Sequence, residues 1–379
     1  MELPPAFTTF LDEHGIDRAV YAVHPQATPR YVRTKDSSIT LEQLKDEFPS
    51  ITPVPWAKSF YMLPSSVPLS SSASYANGLI YGMEASSGFA VSALNLQPGD
   101  HVLDLCCAPG AKLTMLGDIL GKHGSVTGVD FSKNRIAACR SLVHKYGLVH
   151  PATDKPWRCR LFHADGREFS VGAPTGNETL STAGVLEIIL DTAEVASRST
   201  KSIARKRMNK SARARYLKQQ KEQNRSDLTS GLPAKQLYDK VLVDAECTHD
   251  GSLRHLAKLK TGTEWQHYLD KYLSPTHVAD ILQLQADLIR NGFRLLAPGG
   301  RMVYSTCSLS LKQNEDIVAA FLNDTPTAVL EPMDTNGVPC QPGNIPNTVR
   351  FTPLHHVGGL FVALFSKASE VPSKRQKTK

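Results

Sequence analysis

Cys307 lies in the run Tyr304-Ser305-Thr306-Cys307-Ser308, directly after an apolar segment, Arg301 to Ser305, that reads as a strand. A second cysteine, Cys247, follows Asp244 at the end of another strand-like segment, Tyr238 to Asp244. An isolated cysteine at a strand end is most often a small packed hydrophobe. Two thiols and a carboxylate at neighbouring strand ends suit a covalent route instead. Carbon 5 of cytosine is a poor nucleophile. It becomes enamine-like once a thiolate adds to carbon 6 and a carboxyl group holds the ring at nitrogen 3. Loss of the carbon-5 proton then allows the thiol to leave. Such a route needs a methyl donor on the same rim of the sheet.

The elements that must position these groups alternate between strand and helix. His101 to Leu105 is a first strand, closed by a Pro-Gly loop. A helix from Lys112 to Leu120 follows, with Gly121 placed to end it. Ser125 to Asp130 is a second strand, and Ser132 caps a helix running to Tyr146. Trp157 to Ala164 is a third strand, Tyr238 to Asp244 a fourth, and Arg301 to Ser305 a fifth after a long helix from Pro275 to Leu296. Arg350 to Leu354 and Leu360 to Lys367 form a terminal antiparallel hairpin. This order predicts a doubly wound, mostly parallel, seven-stranded α/β sheet. Before it stands a small α/β module, residues 1–75, with helices over Phe7 to His14 and Leu41 to Phe48 and a strand at Arg30 to Arg33. Ser86 or Ser87 is expected to cap a helix running to Leu94.

Ligands of such sheets bind at the carboxyl ends of the strands. Those ends carry Asp104 with the loop Cys106-Cys107-Ala108-Pro109-Gly110-Ala111-Lys112, then Asp130, Asp165 and Asp244. Each aspartate alone could be a helix cap. Four on successive strand ends, beside a loop of small residues, describe a ligand rim. An acid after the second strand suits ribose hydroxyls, and the Asp165-Gly166 pair suits an adenine amino group. No G-x-G-x-x-G follows the first strand, so S-adenosyl-L-methionine fits better than a dinucleotide.

The stretch from Val102 to Lys112 resembles the first motif of the Sun/Fmu (RsmB-type) family of RNA (cytosine-5) methyltransferases. Asp244-Ala245-Glu246-Cys247 resembles its fourth motif, and Tyr304 to Leu309 with Asn314-Glu315 its sixth. Pro29 to Arg33, Arg350 and Gly359 to Ala363 extend the likeness to both ends. The resemblance implies a class I, Rossmann-like methyltransferase fold in which Cys307 attacks carbon 6 and Cys247 assists release. It further implies that Asp244 holds the cytosine edge, that Lys112 lies near the site, and that residues 106–112, Asp130, Arg135, Asp165 and Asp244 bind the cofactor. Three positions depart from the pattern. Glu246 replaces the usual Pro, and its charge is expected to raise the pKa of Cys247. Thr248-His249-Asp250-Gly251-Ser252 replaces a smaller continuation, and Ala111-Lys112-Leu113 stands for Gly-Lys-Thr. An RNA-binding assembly factor that has lost catalysis is the rival reading, motivated by Glu246.

His249 and His255 stand at no recognisable ligand spacing, so no metal is expected, and these rings are read as facing a helix or RNA. The seven cysteines include no C-x-x-C, and free thiols are expected. Charge is uneven: between Arg198 and Arg225 there are eleven Arg and Lys against Glu222 alone, within a chain of net charge +7. With the tail Lys374-Arg375-Gln376-Lys377, this leaves the remainder acidic. The expected organisation is an RNA-binding module at 1–75, a methyltransferase domain at 76–368 with a disordered basic insertion at 171–236, and a basic tail at 369–379. Within the insertion, Val185 to Val195 could fold locally. Arg30, Tyr31 and Arg33 are candidates to stack on or grip unpaired RNA. The partner expected is tRNA or rRNA, with tRNA the first candidate and a single-stranded or loop cytosine the target. No membrane association and a monomer are expected. The setting expected is nucleus, nucleolus or cytoplasm, not secretion.

Overall fold

The computed structural model describes residues 3–35, 39–121, 123–149, 157–174, 185–192 and 237–369. The basic stretch from Arg198 to Arg225, the tail from Lys374 and most of the expected insertion lie outside the described residues. Two compact units emerge. One gathers Met1–Asn95, Val243–Arg290 and Pro298–Lys379; the other holds Leu96–Leu242 with Asn291–Ala297.

The first unit begins with a helix, α1 (Pro5–Glu13), whose start uses proline where the N–H would be unsatisfied anyway. Its Phe7, Phe10 and Leu11 pack with Val20, Tyr21, Trp265 and Tyr268 in one apolar cluster. Four antiparallel strands follow: β1 (Arg30–Thr34), β2 (Thr52–Pro53), β3 (Phe60–Leu63) and β4 (Ile80–Gly82), in the order β2-β3-β1-β4. A helix, α2 (Leu41–Glu47), opens with a capping box between Thr40 and Gln43. The helix expected after Ser86 or Ser87 starts earlier, at Ala85, with Glu84 before it and no side-chain cap. Ser86 instead donates to the carbonyl of Gly358 (3.2 Å).

The second unit holds β5 (His101–Asp104), β6 (Ser125–Asp130), β7 (Arg158–Ala164), β8 (Val185–Asp191) and most of β9 (Tyr238–Asp244), in the order β9-β5-β6-β7-β8. The first four are parallel, and β8 runs antiparallel to β7. Every residue of β6 is buried, as a central parallel strand covered on both faces requires. The crossover helices span Ala111–Leu120 and Lys133–Lys145, the second capped by the Ser132 hydroxyl as expected. The parallel register places Asp104 and Asp130 at the carboxyl ends of their strands.

The chain passes into the first unit within β9, and runs through the helix Pro275–Leu295 before β10 (Leu296–Thr306). β11 (Ala328–Glu331), β12 (Gln341–Pro342), β13 (Thr348–Phe351) and β14 (Leu360–Lys367) complete it. Their order is β12-β13-β14-β10, with β11 also on β14, all antiparallel. The expected hairpin is therefore present as β13 and β14. β5 to β14 are ten strands where the pattern suggested seven. The additions are β8, β11 and β12; β12 is a two-residue edge ending in Pro342, too short to leave an alternation in sequence. Among the described residues, no helix is long and apolar enough to cross a membrane.

Candidate active site: two thiols and a histidine

In the first unit, the segments following β9 and β10 run side by side beyond the strands. Ala245 N donates to Ser305 O (2.9 Å) and Gly251 N to Cys307 O (3.1 Å). A Cβ on Gly251 would lie 2.4 Å from the Cys307 carbonyl oxygen, so only glycine permits this approach. The Ser305 hydroxyl donates to Asp244 (2.7 Å), fixing the half-buried carboxylate at the end of β9. The pairing sets the two sulfur atoms of Cys247 and Cys307, 60 residues apart in sequence, 3.2 Å from one another.

His249 completes the group. Its Nδ1 is 3.2 Å from Cys307 Sγ and 3.9 Å from Cys247 Sγ. The residue takes φ +58°, a left-handed conformation that costs energy for a side chain of this kind. The following residue holds it there. Buried Asp250 accepts from the Thr248 and Ser308 hydroxyls, the latter at 2.6 Å, and from Leu309 N at 2.7 Å. Tyr268 donates to Thr248 O (2.8 Å) and Tyr21 to Asp250 O (3.1 Å). Gln313 brackets Thr248, accepting from its backbone N–H (3.2 Å) and donating to its hydroxyl (2.8 Å).

The two thiols differ. Cys247 is 1% exposed and Cys307 half-buried. The Cys247 thiol is pushed well above its ordinary range, first by its contact with Cys307 and then by burial, which His249 only partly offsets. Burial pulls the His249 imidazole down, but the contact with Cys247 and the charges of Cys247, Glu246 and Asp250 outweigh it, so its pKa rises. Glu246 was expected to act on Cys247. It is exposed, its carbonyl accepts from Gln285 (2.8 Å), and its field acts on the histidine instead.

The rim of the second unit has its own order. Asp130 receives Ala108 N (3.3 Å) on one oxygen and Ser132 N (2.8 Å) on the other. Arg135 donates to Ala108 O (2.6 Å) and stands 3.9 Å from Asp130. Asp104 accepts from Cys106 N (3.4 Å), and Cys107 is packed 4.0 Å from Cys139. Gly110 carries φ +114° and lies against Cys139, leaving no room for a Cβ. Lys112 is in the first turn of its helix and half-buried. Asp165 is gripped by Arg167 (2.7 Å), which holds its carboxyl below the usual range although burial acts the other way. Beside Asp130, Phe131 is 67% exposed, a large apolar ring at a strand end that the sequence reading passed over. An acid with spare acceptor capacity, a small-residue loop and an open aromatic face fit a nucleoside with a charged tail.

A model of the family described as 16S rRNA methyltransferase RsmB/F matches residues 91–173 and 169–366, well over half of the chain. The chain belongs to the RsmB/F family. The Ribosomal RNA small subunit methyltransferase F of Klebsiella pneumoniae is 27% identical over 286 residues, covering 74% of this chain and 43% of that protein. Its namesake from Erwinia tasmaniensis is 25% identical over 337 residues, covering 86% and 54%. The chain thus spans about half the length of these relatives. Among solved structures, NSun6 from Pyrococcus horikoshii aligns over 97% of this chain and 99% of its own, with a TM-score of 0.64 at 15% identity. A methyltransferase homologue from the same organism gives 0.58 at 20% identity, over 96% and 100%. These likenesses establish a Rossmann-like fold.

Within this RsmB/F chain, Cys247, Cys307 and His249 are in contact, and Asp244 is tied to Ser305, two residues before Cys307. The sequence reads the His249 ring as facing a helix or RNA; the structure sets its Nδ1 against the two sulfurs instead. The RNA-reading assignment to β1 is corrected. Arg33 is 4% exposed, its guanidinium 4.4 Å over the Tyr81 ring, and Tyr31 is 5% exposed with its hydroxyl on His356 O (3.1 Å). Arg30 donates to Ser65 O (3.2 Å). Tyr31 and Arg33 build the small sheet into its surroundings and present no stacking face, whereas Arg30 is half-buried.

Proposed function

We propose that the chain is a methyltransferase that forms 5-methylcytosine in ribosomal RNA. The observation that carries this reading is the contact between Cys307 and His249 beside the second thiol, Cys247. His249 takes the Cys307 proton, and the resulting thiolate bonds to carbon 6 of the cytosine. Asp244 holds the ring edge at nitrogen 3, so electron density moves to carbon 5. Asp130, Arg135, Phe131 and the backbone of residues 106–111 would hold S-adenosylmethionine, which would supply the methyl group. Solvent takes the carbon-5 proton, the electrons of that bond restore the carbon 5–carbon 6 double bond, and the carbon–sulfur pair leaves on Cys307 as thiolate. Cys247, whose thiol is held above its ordinary range by the contact with Cys307 and by burial, assists this release. Asp165 can meet an adenine amino group only by loosening its pair with Arg167.

Ribosomal RNA takes the place of tRNA as first candidate because the curated relatives carry that substrate in their names. Addition to carbon 6 needs an unstacked base, so an unpaired cytosine is the cheaper target. The test is incubation with ribosomal RNA containing 5-fluorocytosine and labelled cofactor. Fluorine at carbon 5 blocks release, so a stable labelled adduct is expected with the wild type and none with Cys307→Ala. No adduct on any RNA pool would favour a non-catalytic role in ribosome assembly.

A further inference from the structure

We infer that Cys247, His249 and Cys307 form a site for a thiophilic divalent cation of the zinc class. The three candidate ligand atoms all lie within 4.8 Å of one another, with separations of 3.2, 3.9 and 3.2 Å. Zinc binds thiolate at about 2.3 Å and imidazole nitrogen at about 2.0–2.1 Å, which in a tetrahedron places ligand atoms roughly 3.4–3.8 Å apart. The observed separations fall on either side of that span, so shifts of a few tenths of an ångström close it. The ligands are also held in advance. Gly251 and Cys307 are joined through the backbone, and His249 is fixed in its left-handed turn by the Asp250 clamp. The entropy of gathering ligands is therefore largely spent before an ion arrives.

Sulfur and imidazole select zinc-like ions over magnesium, which demands oxygen. On binding, the two thiols lose their protons to solvent and His249 coordinates as the neutral ring. The fourth position stays open to water. Because Cys307 becomes a ligand, bound metal withdraws the proposed nucleophile, so the site is inhibitory. The metal site rests on the cluster's geometry and stands whether or not the methyl-transfer reading holds; only its inhibitory effect rests on that reading.

The test uses the full chain, reduced with a phosphine and stripped with a chelator, titrated anaerobically with Cd²⁺. A sulfur-to-cadmium charge-transfer band saturating at one ion is expected, bleached by competing Zn²⁺ and indifferent to excess Mg²⁺. It should weaken in Cys247→Ser and in Cys307→Ser and vanish in the double variant. His249→Ala should keep the band but lose affinity by at least the roughly 10–100-fold that loss of even an outer partner costs. No band at stoichiometric ion, or a full band in the double variant, overturns the site. Zn²⁺ should also shield Cys247 and Cys307 of the wild-type chain from alkylation, read peptide by peptide and reversed by chelator. Unshielded thiols likewise overturn it, without reliance on any variant folding.

Discussion

A thiol attacks as its thiolate, so the competence of Cys307 turns on where its proton goes. In the proposed reaction the acceptor is His249 Nδ1, 3.2 Å from the sulfur. Removing a positioned base typically costs about 10²–10⁴ in rate, so His249→Ala should slow adduct formation on 5-fluorocytosine RNA by that order. An unchanged rate in single-turnover gels would remove His249 from the chemistry. The same ring links stability to pH. Its pKa in the fold lies above the ordinary 6.5, so the stabilisation it gives is complete below that value and fades as pH rises through the folded one. The Tm difference between wild type and His249→Ala should accordingly shrink on going from pH 6 to alkaline buffer. Cys247 is suited to the other half of the reaction because its neighbour and its burial keep it protonated. Cys247→Ser should therefore accumulate a covalent Cys307–RNA species even on ordinary cytosine, visible as a shifted band on denaturing gels. Cys307, Cys247 and Asp244 were legible in sequence because each closes or follows a strand whose pattern is plain. His249 was not, since its meaning depends on a sulfur 58 residues away and on a left-handed turn that no periodicity encodes.

At the scale of elements, the loop bearing Cys307 is held by parts distant in sequence. Arg350 of β13 donates through Nη1 to Leu309 O (2.7 Å) and through Nη2 to both carboxylate oxygens of Glu315 (2.5 and 2.6 Å), at the start of the helix Glu315–Asp324. Both side chains are nearly enclosed, 9% and 6% exposed. A charge stranded in such a place costs about 3–5 kcal/mol, more than the pair itself contributes. Glu315→Ala should lose about that much stability in urea denaturation, and Arg350→Met added to it should recover a large part. If the double variant is as unstable as the single one, the pair is a net attraction rather than a device for placing the loop. This is also why Asn314-Glu315 and Arg350 stood out in the sequence without an evident role: an ion pair between them has no local signature. The strands β5, β6, β7 and β9 and their parallel run were readable because buried parallel strands give apolar runs and alternate with crossover helices; their order in the sheet was not. The face of β1 was not, because an Arg-Tyr-Val-Arg alternation looks the same whether Tyr81 covers it or RNA does.

At the scale of the whole molecule, burial of Tyr31 and Arg33 leaves Arg30 alone of the three β1 side chains able to meet RNA, and the proposed function needs a further source of polyanion affinity. The composition points to one place. Eleven Arg and Lys against a single acid between Arg198 and Arg225 exceed the net charge of +7 for the entire chain, so the remaining residues are on balance unfavourable to phosphate. Binding that depends on cations meeting phosphates releases counterions, and log K then falls with log salt by about 0.7 for each contact on a single strand. Deleting residues 198–225 should weaken binding to ribosomal RNA and flatten this slope, by about 2 if three phosphate contacts are lost. Electrostatics that act on association rather than on the bound base should leave the chemical step alone. The same deletion should therefore preserve the single-turnover rate of adduct formation at saturating RNA while raising the RNA concentration needed to reach it. Filter binding at several salt concentrations, paired with that saturating rate, separates the two effects. An unchanged slope would show that phosphate contacts lie on the rest of the chain despite its acidic balance, whereas a lost saturating rate would tie the basic stretch to the reaction itself.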